Sequence, residues 1–396
     1  MEISVIQFRH TMHILEIPSF FPPHGGDFCI EQARALQQAG HEVRILACVQ
    51  LGLTSDRPLF WKANTARVWK EVEGIPTYFT LMRGIPKCVL LNERRWVRIV
   101  CSMYAKYVSK YGKPDVIHAH CAKWAGVAAH AIAKREGIPY YITEHLSSVL
   151  YEKDFGKHWE KHIWARHLLR TVLEQADCVI PVAEELVDDV ADWFGRDYRY
   201  HYISNTIDTD FFAYKERNPL GDRPYRFCML ARADVYAKGF DVLSKAWKQL
   251  ETTDRVELHI AGRNTDQEKV TRLFAGCEKV IFHGMLDKNG VRDLLYESDC
   301  LVLPSRSEVQ PLVVLEAIST GIPVVSTEVV PQCERIANAC SIVPIGDADS
   351  FLRAMKEVIG TGANRVWSAE VSQMASPVSV AKKLEQLFAE KQGQRP

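Results

Sequence analysis

Short apolar runs recur along the chain, and most are followed by a segment whose apolar positions repeat with helical spacing. Residues 13–17 read as a first strand and 18–26 as a loop. Residues 28–39 read as a helix stopped by Gly40, and 42–48 as a second strand. The same unit returns at 115–120 (strand), 126–135 (helix) and 140–143 (strand). A turn-rich stretch, 204–224, separates this block from another. There the strands are 226–230, 256–261, 280–283 and 300–303, and the helices between them are 239–250, 267–277 and 288–298. Residues 304–310 form a loop, Pro311 suits the first turn of a helix, and Gly321 with Pro323 ends it before a strand at 324–326. Strands alternating with helices in two blocks predict an α/β protein of two parallel-sheet domains facing a cleft. The expected divisions are an N-terminal extension outside the fold (1–11), a first domain (12–203), a second (204–370) and a C-terminal helix (371–396) packing back toward the first. Met12 directly precedes the first strand, so translation from Met12 is the alternative to Met1.

Composition changes this picture little. The 396 residues carry 49 basic and 49 acidic side chains, and that balance argues against a general nucleic-acid binder. Eleven cysteines include no C-x-x-C pair, and Cys48, Cys178, Cys228 and Cys300 fall in apolar runs, as reduced core thiols of a cytosolic enzyme do. No apolar run is long enough to span a bilayer.

Candidate chemistry gathers where strands end. Glu308 lies in the loop after 300–303, and Glu316 lies eight residues on, inside the next helix. Doubly wound sheets bind ligands at that edge, and a helix N-terminus there favours an anion. Two carboxylates beside an anion site fit a ligand with hydroxyls at both ends and phosphate between, as in a nucleotide-sugar. Arg232 and Lys238 share the loop after 226–230, where an Arg can fork onto phosphate oxygens and a Lys adds a point charge. Gly25-Gly26 after the first strand allows close backbone approach to a ligand. His145 follows the strand 140–143. His118 and His120 share one face of a strand and read as core histidines, since a third metal ligand is not evident. Asp347-Ala348-Asp349 reads as an acidic helix start rather than a metal motif.

In this order and spacing the motifs resemble the family-4 retaining glycosyltransferases, whose GT-B fold pairs two Rossmann-like domains. The resemblance runs from about Met12 to the last helix. It rests on the E-x7-E pair Glu308/Glu316, Arg232 with Lys238-Gly239, and His24-Gly25-Gly26. Asp115-Val116-Ile117-His118-Ala119-His120, Glu144-His145 and Asn205-Thr206-Ile207-Asp208 complete it. It implies that Glu308 meets the donor sugar, that Glu316 holds the ribose, and that His145 lies near the reacting sugar. Arg232 and Lys238 would neutralise the diphosphate in place of a metal ion, with no cofactor. Gly25, Gly26, Leu312 and Val313 would offer backbone to the donor, which is UDP- or GDP-linked. The implied reaction moves a hexose-type sugar, with retention, to a saccharide or lipid-linked acceptor in envelope polysaccharide biosynthesis, in the cytoplasm. One departure is Glu308-Val309-Gln310-Pro311, where the family often has Glu-Gly-Phe-Gly and Pro311 has no N–H to give. Two alternatives stay open: a nucleotide-sugar 2-epimerase of the same fold, and a non-catalytic sugar-nucleotide binding or scaffold protein.

Residues 92–113 add a possible surface role. Arg94, Arg95, Arg98, Lys106, Lys110 and Lys113 stand against one acid, Glu93, while Trp96, Val97, Val100, Met103, Tyr104, Tyr107, Val108 and Tyr111 recur at helical spacing. The segment reads either as an ordinary amphipathic helix or as one that docks on the anionic inner face of a membrane.

Overall fold

The computed structural model describes residues 11–22, 25–54, 56–155, 163–217, 220–329, 336 and 338–392. Of the expected extension 1–11, all but Thr11 lies outside the described residues, as does His24. The chain divides into two compact units: Met1–Thr206 with Val380–Pro396, and Ile207–Ser379.

The first unit holds strands β1 (His13–Pro18), β2 (Glu42–Leu51), β3 (Val68–Val72), β4 (Ile75–Arg83), β5 (Val116–His120), β6 (Tyr140–Glu144) and β7 (Cys178–Pro181). They form a sheet of order β3-β4-β2-β1-β5-β6-β7, parallel except where β3 pairs antiparallel with β4. A parallel sheet is covered on both faces, and β1 and β5 are accordingly buried at almost every position. Ile14, Ile45, Val116 and Ile180 pack with Cys29, Ile30, Ala33 and Leu36 of the helix Asp27–Gln38. The helix Pro377–Gln392 joins the same core through Val380, Leu384, Leu387 and Phe388. There Glu385 pairs with His41 at 2.9 Å, and Tyr141 donates to the Leu387 carbonyl at 3.2 Å.

The second unit holds β8 (Tyr225–Leu230), β9 (Val256–Ala261), β10 (Val280–Gly284), β11 (Cys300–Leu303), β12 (Val324–Thr327) and β13 (Cys340–Val343), all parallel in the order β10-β9-β8-β11-β12-β13. Successive strand residues point to opposite faces, so the sheet has two cores. Phe227, Met229, Leu258 and Val302 pack with Phe240, Trp247 and Met355. Cys228, Leu230, Leu301 and Leu303 pack with Val314, Leu315, Ile318 and Trp367.

Three boundaries depart from expectation. The helix expected over 267–277 is Glu268–Thr271 followed by a 3-10 turn, Arg272–Phe274, which suffices to bury Val270 and Phe274. Pro311 sits just outside the helix Leu312–Ser319, as its N-cap. The C-terminal segment is two helices, Arg365–Ala375 and Pro377–Gln392, broken at Ser376, whose hydroxyl accepts from the Ser379 amide at 3.3 Å.

Candidate active site

In the second unit the chain moves outward from β8 to β9 and β10 on one side, and from β11 to β12 and β13 on the other. The loops leaving β8 and β11 therefore part at a topological switch point, the place where open α/β sheets hold ligands. Arg232 and Lys238 lie in the first loop, Glu308 in the second. Arg232 is exposed, with no side-chain hydrogen bond or ion pair among the described residues. The Lys238 ammonium donates to Glu308 Oε1 at 2.5 Å, and Ser305 Oγ donates to the same oxygen at 2.6 Å. Two further ammonium hydrogens and Oε2 of Glu308 are left for a ligand.

The loops also touch through their backbones. Gly239 has φ 68°, and a Cβ there would stand 1.9 Å from the Pro304 carbonyl oxygen, so only glycine lets them close. Arg306 clamps the contact: its amide donates to the Ala237 carbonyl at 2.8 Å, and its guanidinium forks onto Asp241 at 2.7 and 2.8 Å. That fork holds the Asp241 carboxyl below the usual range. Nothing in the sequence marks Arg306, because its partner is 65 residues away. Leu312 and Val313 open the following helix, whose first amides have no carbonyl one turn earlier to bind. Glu316 stands four residues after Leu312, on the same face and partly exposed.

In the first unit the strand order reverses between β1 and β5; Gly25 and Gly26 follow β1, and His145 follows β6, the strand next to β5. Gly25 and Gly26 follow β1 with φ 91° and 92°; a Cβ on Gly26 would meet the Phe20 carbonyl oxygen at 2.1 Å, whereas Gly25 faces open space. After β5 the backbone is strained at two non-glycine residues, Cys121 (φ 75°) and Trp124 (φ 66°). A pocket of about 220 Å³ opens beside them, lined by Ser19, Phe20, Gln50, Trp96, Lys123 and Trp124 among others.

His145 follows β6, with its ring stacked on Phe28 at 3.8 Å. Burial pushes its imidazole well below the ordinary range, and His120 and His118 add to this, so it is neutral near pH 7. Glu144 folds under it, accepting from the amides of Ala122, His145 and Leu146 at 2.8, 2.9 and 2.9 Å. His120 Nδ1 is 3.4 Å from His145 Nε2. Behind this pair lies Glu16, wholly buried, which meets His118 Nδ1 at 3.0 Å and His120 Nε2 at 2.9 Å. Burial would raise the Glu16 carboxyl, but the two histidines hold it down at about 2.

Glu16 was detectable in sequence as an acid inside an apolar strand, where a buried charge needs partners. Glu16, His118 and His120 offer atoms within 4.8 Å of one another, a spacing open to a metal ion. The contacts themselves have N–H···O length, and His118 Nε2 is engaged by Thr143 Oγ1 at 2.7 Å, so the cluster is satisfied by hydrogen bonds alone. Asp347 caps the helix Ala348–Val358, accepting from the Asp349 and Ser350 amides at 3.1 and 3.0 Å.

Comparison with known proteins agrees with this architecture. The family described as Glycosyltransferase Family 4 matches residues 26–211, and Glycosyl transferases group 1 matches 224–361. A Bacillus subtilis (strain 168) protein assigned as the teichuronic acid biosynthesis glycosyltransferase TuaC is 27% identical over 335 residues, 80% of this chain and 81% of that one. Glycogen synthase of Mycobacterium tuberculosis (strain ATCC 25618 / H37Rv) is 26% identical over 320 residues, covering 77% and 74%. Among solved structures, sucrose-phosphate synthase from Thermosynechococcus elongatus superposes with TM-score 0.77 at 17% identity, over 97% of this chain and 100% of that one. Anabaena Alr3699/HepE in complex with UDP and glucose gives 0.68 at 16%, with coverage of 97% and 100%. With both family matches in sequence order on two parallel-sheet units, the chain belongs to the family-4 glycosyltransferases of the GT-B fold.

Proposed function

We propose that this glycosyltransferase takes a hexose-type sugar from a nucleoside diphosphate and passes it, with retention and without a metal ion, to a saccharide or lipid-linked acceptor of an envelope polymer. The observation that carries the reading is the Lys238–Glu308–Ser305 contact at the β8/β11 switch point, with Arg232, unpaired among the described residues, in the same loop as Lys238. When the bond from sugar C1 to phosphate breaks, negative charge grows on the leaving diphosphate and positive charge on the sugar. Arg232 and Lys238 meet the first demand. Glu308, held by Lys238 and Ser305, offers Oε2 to sugar hydroxyls, and Glu316 takes the ribose. Gly25, Gly26 and the amides of Leu312 and Val313 supply backbone to the donor. Pro311 removes one amide from that helix start, but the two that follow remain.

A UDP-linked donor is favoured over a GDP-linked one because Alr3699/HepE was solved with UDP, with UDP and glucose, and with UDP-glucose. The envelope assignment leans on TuaC and its teichuronic acid. The pocket beside Trp124 is of a size for one sugar ring, with aromatic faces to stack on it and Lys123 at its edge, and we assign it to the acceptor. No helix among the described residues is long and apolar enough to cross a membrane. Peripheral docking at the inner face is supported by Arg94, Arg98, Lys106 and Lys110, which are exposed on the helix Val89–Tyr111, and by exposed Leu91 and Trp164, whose ring lies 5.3 Å from Arg94.

The test is a thermal-shift screen against nucleotide-sugars, since a ligand that binds only the folded chain raises its melting temperature. A UDP-hexose should give the largest rise, unchanged by chelator. No response to any nucleotide-sugar would refute the reading. Product formed without an acceptor would favour the epimerase, and binding without turnover the scaffold.

A further inference from the structure

The hydrogen-bonded chain from Glu16 to His145 has a fixed polarity. Ionised Glu16 has no proton to give, so both imidazoles touching it present N–H: His118 Nδ1 at 3.0 Å and His120 Nε2 at 2.9 Å. In the neutral His120 ring the opposite nitrogen is bare. His118 Nε2 is paired with Thr143 Oγ1 at 2.7 Å, which closes that branch. His120 Nδ1 can only accept, so the hydrogen across the 3.4 Å gap comes from His145 Nε2. His145 Nδ1 is then a bare lone pair, with no partner among the described residues. Phe28, stacked 3.8 Å away at an interplanar angle of 29°, restrains the ring from its face, and the His145 amide is tied to Glu144 at 2.9 Å.

We propose that Glu16, acting through His120, is a positioning residue that locks His145 in its Nε2–H tautomer, so that Nδ1 accepts a hydrogen bond from a hydroxyl of the bound sugar. The inference rests on the transferase reading above and adds the device that aims His145. Simple packing would not need it: two histidines and an acid are wholly buried in a parallel sheet where apolar side chains would fill the same space, with His145 half-buried beside them. Burial also keeps His120 and His145 neutral, which the alternation of donors and acceptors requires. Removing Glu16 frees His120 to turn its polarity around, and His145 follows.

The experiment reads the tautomer directly. The full chain is labelled with 15N-histidine, and two-bond 15N–1H correlations are recorded at pH 7.5 without substrate; the His145 signals are those lost in His145→Gln. The expected pattern is Nε2–H for His145 in the native protein, and an Nδ1–H or averaged pattern in Glu16→Gln and in His120→Gln. An Nδ1–H or averaged pattern in the native protein would overturn the proposal, whatever the variants do. So would stoichiometric metal on the purified protein that is lost with Glu16→Gln. With UDP-hexose as donor, both variants should lose at least about 10-fold in kcat while the donor KM stays within about 2-fold, the split expected when orientation rather than binding is damaged. Equal loss in KM would also overturn it. If Glu16→Gln does not fold, the native spectrum and His120→Gln still decide. The spectrum needs no substrate, so failure of the tautomer lock is distinct from failure of the transferase reading, which the nucleotide-sugar screen exposes.

Discussion

At the scale of single residues, the structure joins side chains that the sequence shows only as separate candidates. Glu308 and Lys238 are each legible from their loops, but the 2.5 Å bond between them spans 70 residues and no local pattern encodes it. The Glu308 side chain is nine-tenths buried, so Lys238→Ala strands a carboxylate as well as removing the proposed phosphate contact. Lys238→Ala and Glu308→Gln should each lower kcat/KM by roughly 10²-fold. Together they should lose clearly less than the product, because contacting residues do not act additively. A strictly multiplicative double mutant would separate their roles. Glu16 makes a prediction about acid. Its folded value of about 2 lies below the ordinary 4.5, so on acidification the unfolded chain takes up this proton first. The stability it contributes is complete above pH 4.5 and is lost as pH falls toward 2. His120, held below 6.5 by burial, adds a loss that begins just under that pH. Melting temperatures from pH 7 to 3 should fall in both windows, and Glu16→Gln should flatten the lower one. An unchanged slope below pH 4.5 would dissociate Glu16 from acid stability.

At the scale of elements, the β–α units were legible because a buried parallel strand and an amphipathic helix have different periods, and β9 and β11 match the expected spans of 256–261 and 300–303. β3 and β4 were not legible. β3 is an edge strand with no fully buried residue, so no apolar pattern announces it, and β4 acquires its place from pairing with β2. The turns that carry the site depend on glycines of unequal strictness. Gly26→Ala and Gly239→Ala drive a methyl group into a carbonyl oxygen, while Gly25→Ala meets only the left-handed backbone. The first two should cost more than about 2 kcal/mol and the last about 1 kcal/mol, read as melting-temperature losses in that order. Equal losses at Gly25 and Gly239 would mean that the loops relax apart. Of the apolar positions expected on the helix Val89–Tyr111, Trp96, Val100, Met103, Tyr104 and Tyr107 are buried, while Val97, Val108 and Tyr111 at its margins are half-buried. Its basic face predicts co-sedimentation with anionic vesicles that falls with salt and weakens when Arg94, Arg95 and Arg98 become Ser. Indifference to such vesicles at low salt would leave the helix a purely structural role.

At the scale of the whole molecule, each sheet has candidates where its strand order reverses, Gly25 and Gly26 after β1 in one and Arg232, Lys238 and Glu308 after β8 and β11 in the other, with His145 one strand away after β6. Alternating strands and helices told of the sheets but not of the order of their strands, so the switch points emerged only with the fold. The sequence predicts a C-terminal helix packing back toward the first domain, but periodicity could not say that Val380, Leu384 and Phe388 would meet the core around β1 and β2. The central claim is that the second unit reads a nucleoside diphosphate-sugar in parts: diphosphate by Arg232 and Lys238, sugar by Glu308, ribose by Glu316. Calorimetric titration of UDP in the presence of chelator tests it most directly. UDP should bind the native chain, bind Glu316→Gln and Arg232→Ala at least about 10-fold more weakly, and bind Glu308→Gln with little change. Equal weakening by Glu308→Gln and Glu316→Gln, or UDP binding that vanishes in chelator, would contradict the account.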